Sequence, residues 1–320
     1  MNAPVPHPEA RSAAATHPRL YDLVRRAQQR AATQTPAVGL VYPCDALALS
    51  AAAQIAAAGI ARPVLIGPAR SISRAADAAG VDISQFEVVD TADTGSDAAL
   101  RATALAREHA VGALMKGSLH TDELMSAVVH KETGLRGDSR ISHAFVFDLP
   151  RYPKLLALAD CVVNISPNLH TKRDIMGNAI TLLQRLGIEH PKVAIVAAVE
   201  TVNPAIPATV DAQALVEMAR QGAWPGAIVE GPFGFDNAIS AEAARIKKID
   251  SKVSGDADLL LMPDLNAGNM LYKSFNYIGG GDCAGLVLGA KVPVVLTSRA
   301  DSLNSRMASV ALAVLSLPPF

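Results

Sequence analysis

The chain has 320 residues, half of them hydrophobic and 18% charged, with 29 Lys and Arg against 30 Asp and Glu. Such a composition excludes general disorder, and a net charge of -1 gives no broadly basic surface for nucleic acid. The longest Ala-rich uncharged run, residues 46–61, is short of the roughly 20 residues that cross a bilayer and contains Gln54, so no membrane partner is expected.

Residues 1–18 are rich in Pro and Ala, lack the apolar run of a secretory signal, and read as a loose N-terminal tail. Short β-branched runs then alternate with longer amphipathic ones. Strands are expected at 38–42, 63–66, 86–89 and 111–115, with helices at 45–58, 71–79 and 97–109. This alternation argues for parallel sheet layered between helices. Residues 133–140 break the pattern with two glycines and three charges in a short span, which is loop chemistry. Strands follow at 141–149, 161–164, 193–196, 227–229, 258–262 and 286–288, with helices at 169–186, 212–220, 238–248 and 267–275. A strand at 292–296 and a helix at 301–315 close the pattern. The expectation is two α/β/α domains with mostly parallel sheets, residues 19–140 beginning the first and 141–290 forming the second. Cys44, Cys161 and Cys283 fit neither a disulfide framework nor a metal knuckle, so free thiols in a reducing cytoplasm are expected.

Four stretches can carry chemistry. In Pro263-Asp-Leu-Asn-Ala-Gly-Asn-Met-Leu-Tyr-Lys273 a strand ends and a helix begins. Ligands bind beyond the carboxyl ends of strands in open α/β sheets, and a helix start favours an anion; alternatively Asn266 or Asn269 is only a helix cap. In Val294-Val-Leu-Thr-Ser-Arg-Ala-Asp-Ser302, Arg299 offers a planar fork to phosphate oxygens and Ser298 a donor to an oxyanion. The alternative there is a surface arginine beside a helix cap. Gly231-Pro-Phe-Gly-Phe-Asp-Asn237 reads as a tight turn with Asp236 capping the next helix. In Met115-Lys-Gly-Ser-Leu-His-Thr121, Lys116 or the backbone near Gly117 can hold a phosphate, while a lone His120 reads as structural. Gly279-Gly-Gly-Asp-Cys-Ala284 precedes a strand instead of following one, and no Walker-type Gly-Lys-Ser/Thr is present, so neither a dinucleotide loop nor ATP is indicated.

Together these stretches resemble the phosphate acetyltransferase and phosphate butyryltransferase family. Met115-Lys-Gly117, Ile141-Ser-His143, Gly231-Pro232, Phe235-Asp236, Gly255-Asp-Ala-Asp258, Pro263-Asp-Leu-Asn-Ala-Gly-Asn269 and Thr297-Ser-Arg299 carry the resemblance, in the family's order. It implies a fold of the isocitrate and isopropylmalate dehydrogenase kind, with an interdomain cleft, an inserted second domain, and residues 291–320 returning to the first. The implied activity is reversible transfer of a short acyl group, acetyl, butyryl or propionyl, between coenzyme A and inorganic phosphate. Coenzyme A and acyl-CoA enter as substrates, no cofactor is tightly bound, no metal is needed, and the protein is a homodimer.

On this resemblance Arg299 takes the phosphate, Ser298 serves the oxyanion or thiol, and Asp301 is a candidate base. Asn266, Gly268 and Asn269 line the cleft, with Lys116 and Gly117. Two departures stand out. The aspartate that acetyltransferases of the family carry seven residues after the serine is Ser305 here. Where they have an arginine after the His-Thr pair, Ser126 and Ala127 stand instead, leaving Arg136 or Arg140 to supply the charge. Two other readings compete. One is a non-catalytic coenzyme A-binding regulatory protein. The other is a metal- and NAD-dependent hydroxy-acid dehydrogenase of the same fold, which would need Asp256, Asp258 and Asp264 to converge.

Overall fold

A computed structural model describes residues 16–296 and 301–318. It divides into two compact units, one reaching to Asp138 and resuming at Ala284, the other spanning Ser139–Cys283. Among the described residues no helix is long and apolar enough to cross a membrane.

The first unit opens with an amphipathic helix, α1 (Pro18–Ala31), which the sequence reading assigned to no element. Then come β1 (Ala37–Val41), α2 (Ala46–Ala57), β2 (Arg62–Ile66), α3 (Ala69–Ala79), β3 (Glu87–Val89), α4 (Gly95–Arg107), β4 (Ala113–Lys116) and α5 (Thr121–Val128). After the second unit it is completed by β11 (Val294–Val295) and α11 (Leu303–Ser316). Strand β10 (Asp282–Leu288) begins at the boundary between the units. The strand order is β3-β2-β1-β4-β11-β10, parallel except for the β10–β11 pair. Val38, Leu40, Leu65, Leu114 and Val294 are at most 1% exposed, as strands covered on both faces must be. Helix α11 is buried along most of its length, which accounts for its Ala- and Val-rich sequence. It packs against α1, where Arg30 donates from Nη1 to Leu315 O at 3.0 Å and from Nη2 to Leu317 O at 2.9 Å, satisfying carbonyls at the helix end.

The second unit contains β5 (Ser142–Asp148), β6 (Leu156–Ala159), α6 (Leu169–Arg185), β7 (Lys192–Val196), α7 (Pro207–Arg220), β8 (Ile228–Phe233), α8 (Phe235–Ile239), α9 (Ala241–Ile246), β9 (Leu259–Leu261) and α10 (Leu265–Tyr277). Its strand order is β5-β6-β9-β7-β8, parallel except for β5–β6. The expected strand at 161–164 is instead a turn, and the strand lies just before it as β6. The expected turn at Gly231 is part of β8, which runs on to Phe233 past a register shift against β7. The expected helix at 238–248 is two short helices. Gly234 stands at the N-cap of α8, and the Ser240 side chain caps α9 by accepting from Ala243 N at 3.2 Å. Asp236 is therefore no cap; it pairs with Lys247 at 3.2 Å.

Candidate active site

The second unit gathers polar groups around one carboxylate. Asp160 follows β6 and is 3% exposed. Its Oδ1 accepts from the backbone N–H groups of Val162 at 2.8 Å and Val163 at 3.0 Å. Its Oδ2 accepts from His143 N at 3.1 Å and Asn164 Nδ2 at 2.7 Å. Four donors offset the desolvation of a buried carboxylate. They also explain the turn, since pinning two successive amides to one side chain bends the chain away from the sheet.

Helix α10 is fitted onto that turn. Asp264 caps it by accepting from Ala267 N at 3.0 Å, so neither Asn266 nor Asn269 is the cap. Leu265 N donates to Ile165 O at 3.1 Å, and Asn269 Nδ2 donates to Cys161 O at 3.2 Å. Gly268 is required by space: a Cβ there would collide with the Asp160 carbonyl oxygen and stand 3.2 Å from Cys161 Cα. On the same helix, Tyr272 stacks on Phe145 with ring centroids 4.1 Å apart, and Phe275 meets Phe147 edge-on at 5.1 Å. Gly268 and Asn269 thus hold the helix in place, and Asn266 is exposed.

The remaining edge of this turn is Arg140. Its backbone N donates to Asp174 Oδ2 at 3.1 Å and its carbonyl accepts from Asn178 Nδ2 at 2.9 Å, so two residues one turn apart on α6 hold it. Its side-chain Nε donates to Asn164 Oδ1 at 3.3 Å. Beside it opens a cavity of about 270 Å³, lined also by Asn164, Ser166 and Thr171. The start of α6 lies here, with Asn168 capping it through Thr171 N at 2.9 Å. A guanidinium, a hydroxyl and the positive end of a helix suit an anionic oxygen cluster.

The first unit treats its expected residues differently. Lys116 ends β4, and its Nζ donates to the carbonyls of Gly117 at 3.1 Å and Leu119 at 3.0 Å. Gly117 lies against the β1 exit: a Cβ would stand 2.5 Å from Val41 O and 2.6 Å from Tyr42 O. Ser118 Oγ bridges, donating to Tyr42 O at 2.8 Å and accepting from Cys44 N at 3.1 Å. Burial pushes the half-buried Cys44 thiol up to about 11, with Asp93 and Asp45 adding to it. His120 stands at the N-cap of α5, its N–H donating to Glu123 Oε2 at 2.9 Å, as the structural reading expected. Arg136 is exposed, donates from Nε to Val129 O, and pairs its backbone with Ala290. The carbonyl of Asp301 accepts from the buried Arg306 Nε at 3.4 Å. Ser302 caps α11 through Ser305 N at 3.0 Å. Ser305 is buried, its carbonyl accepting from Ser309 Oγ at 2.7 Å. Ser298 and Arg299 lie outside the described residues.

The carboxylates that a metal-dependent dehydrogenase would need do not converge. Asp256 and Asp258 stand before β9 and pair with Lys154 at 2.8 and 2.7 Å, and Asp256 also meets Lys192 at 2.6 Å. Burial pushes the Asp256 carboxyl up, but the two lysines outweigh it and leave it below its ordinary value. Asp264 follows β9 and caps α10. Among the described residues no group of three or more His, Cys, Asp or Glu side chains is placed to hold a metal ion.

Residues 92–314 match the family model described as "Phosphate acetyl/butaryl transferase". The chain belongs to this family of acyltransferases. It is 49% identical over 286 residues to a phosphate acetyltransferase of Rhizobium meliloti, covering 89% of this chain and 90% of that one. It is 40% identical over 257 residues to a phosphate butyryltransferase of Clostridium acetobutylicum, covering 80% and 85%. Among solved structures, a branched-chain phosphotransacylase from Enterococcus faecalis V583 aligns with a TM-score of 0.77 at 30% identity, covering 88% of this chain and 99% of that one.

In this phosphotransacylase the residues that sequence reasoning passed over are Asp160, Asn164 and Ser166. A signal existed: two polar residues flank the apolar Cys161-Val-Val163, a spacing that suits a side-chain-capped turn as well as a strand. His143, quoted only as part of the resemblance, is 1% exposed and its Nδ1 has no hydrogen-bond partner. Burial pulls its imidazole down to about 4, against an upward pull from Asp160.

Proposed function

We propose that this chain transfers an acetyl group reversibly between the sulfur of coenzyme A and inorganic phosphate. The supporting observation is the 49% identity to a phosphate acetyltransferase across 89% of the chain, against 40% to a butyryltransferase. The thiolate sulfur attacks the carbonyl carbon of acetyl phosphate, the C–S bond forms, the bond from that carbon to the bridging oxygen breaks, and phosphate leaves with that oxygen and the electron pair. The proton lost by the thiol passes to a base. A free thiol has a pKa near about 8.5, so such a base speeds the reaction at neutral pH.

Arg140, exposed at the rim of its cavity, receives phosphoryl oxygens, with Ser166 and the start of α6 beside it. Arg299 adds a second guanidinium, Ser298 serves the oxyanion or the thiol, and Asp301 takes the proton. Arg136 and Asn266, both exposed, contribute to the substrate surface of their own units, and Lys116 and Gly117 act by holding the β4 exit. Gly268 and Asn269 act by holding α10. The two compact units are read as the two domains of the family, and the protein as a cytoplasmic homodimer needing no metal in the chemical step.

The test is thioester formation from coenzyme A with acetyl, propionyl and butyryl phosphate in turn, with and without a chelator. Acetyl phosphate should give the highest kcat/KM and the chelator no loss. A higher kcat/KM for butyryl phosphate would move the assignment to the longer chain, and coenzyme A binding without turnover would favour a regulatory role.

A further inference from the structure

The side chain that faces the cavity is fixed by another that does not need to touch a ligand. Asn164 is 7% exposed. Its Nδ2 donates twice, to Asp160 Oδ2 at 2.7 Å and to Ile141 O at 3.0 Å. Both are pure acceptors, so the amide can adopt only one of its two flipped orientations. That choice points Oδ1 at Arg140, whose Nε it accepts at 3.3 Å. Asp160 is held in turn by three backbone N–H groups, those of His143, Val162 and Val163. A rigid backbone thus orients a carboxylate, the carboxylate orients an amide, and the amide orients a guanidinium.

Arg140 is otherwise exposed, and a long exposed side chain samples many rotamers, whose loss on binding opposes affinity. Tethering Nε removes part of that cost before the ligand arrives and leaves the two Nη amines, which have no hydrogen-bond partner among the described residues. Two amines on the outer edge of a guanidinium form the fork that accepts two phosphoryl oxygens at once.

We propose that Asn164 is a positioning residue, locked by Asp160 and the Ile141 carbonyl, that presents the Arg140 guanidinium to a phosphoryl group entering the cavity. The inference rests on the acyl-transfer reading only for the identity of the ligand. The phosphoryl oxygens come either from inorganic or acyl phosphate or from the phosphates of coenzyme A, and the two sources separate experimentally.

The experiment is a double-mutant cycle in the full chain with Arg140→Ala, Asn164→Ala and the double variant. Calorimetric Kd values for inorganic phosphate and for coenzyme A are read separately, and KM for phosphate and for acetyl-CoA beside them. Each single variant should weaken one of the two ligands by about ten- to a hundred-fold, the loss expected when a hydrogen bond to a charged group goes. The double variant should fall within about threefold of the worse single, because Asn164 acts only through Arg140. A shift confined to phosphate assigns the cavity to the acyl phosphate, and one confined to coenzyme A assigns it to the nucleotide phosphates. Losses that multiply in the double variant, or no loss for either ligand, overturn the proposal.

Should Asn164→Ala fail to fold, Arg140→Lys decides alone. A lysine keeps the charge but has no Nε–H donor between stem and fork, so affinity should stay within about twofold of Arg140→Ala; recovery to within about twofold of wild type shows that charge alone suffices and overturns the role of Asn164. Because both Kd values are read without turnover, the cycle stands even if no acyl phosphate proves to be a substrate, in which case the acyl-transfer reading alone fails.

Discussion

Two strand exits in this protein carry a basic residue beside a glycine-dependent turn, and they are wired in opposite ways. At the end of β4, Lys116 donates to two carbonyls of its own loop, and Ser118 ties that loop to Tyr42 and Cys44. After β6, the turn is organised by the Asp160 carboxylate, with the neutral His143 ring buried beside it, and Arg140 lines a cavity with two outer amines that bond nothing among the described residues. The first exit depends mainly on main-chain acceptors. The second sits beside a buried imidazole that burial holds neutral, and its arginine stands at the rim of a cavity.

The largest expected break is pH-dependent. His143 is held down to about 4 by burial, whereas it titrates near about 6.5 when unfolded. The unfolded chain therefore binds more protons between those values. Stability from this group is fully present above pH ~6.5 and is lost progressively as pH falls towards the folded value. Hydrogen exchange at pH 7.5 and 5.0 should show protection falling in β5 and the 160–165 turn more than in β4 and α5. In His143→Phe that difference should largely vanish; a persisting difference would assign the acid sensitivity elsewhere.

Next comes the ligand side of the contrast. Arg140→Ala should lower kcat/KM by about ten- to a hundred-fold at unchanged Tm, equivalent to about 1.5–3 kcal/mol. Lys116→Ala should instead lower stability by about 0.5–1.5 kcal/mol through loss of its two carbonyl contacts. Paired kinetics and thermal unfolding check both, and a larger kinetic than thermal effect at Lys116 would reverse the comparison.

The steric parts should behave alike in both exits. Gly117→Ala and Gly268→Ala each drive a Cβ onto backbone oxygen, and overpacking of this kind costs about 1–3 kcal/mol. Urea midpoints read the loss; a neutral Gly268→Ala would mean that α10 does not need its close approach to Asp160. The smallest effect concerns Cys44. With its thiol pushed up to about 11, alkylation of the native protein by iodoacetamide should stay slow at pH 8 and rise steeply only above pH 9–10. Reaction at the rate of a free thiol at pH 8 would show that the β1 exit is open to water.

Much of this arrangement was legible in the sequence. The exit of β9 into α10, the end of β4 and the 133–140 loop were all marked by glycine, proline and charge at positions with a local cause. The 160–164 turn was not, because Cys161-Val-Val163 has the composition of a strand and what bends it is the Asp160 side chain just before it. The real strand, Leu156-Ala-Leu-Ala159, carries no β-branched residue and is made a strand by its place between β5 and β9. Nor could sequence tell that Lys116 is turned inward and Arg140 outward, since that depends on which carbonyls happen to lie within reach.

The clasp between α1 and α11 sets a schedule for biosynthesis. Helix α1 emerges first, yet the surface that covers it, with the carbonyls of Leu315 and Leu317 that Arg30 bonds, is made only after everything from Ala31 to Leu303. At about 5–20 residues per second that wait is on the order of ten seconds to a minute. Throughout it the apolar face of Leu20, Leu23 and Ala27 has no final partner on the ribosome. The second unit, continuous from Ser139 to Cys283, has all of its own chain before α11 exists, so the nascent protein acquires its middle before its beginning.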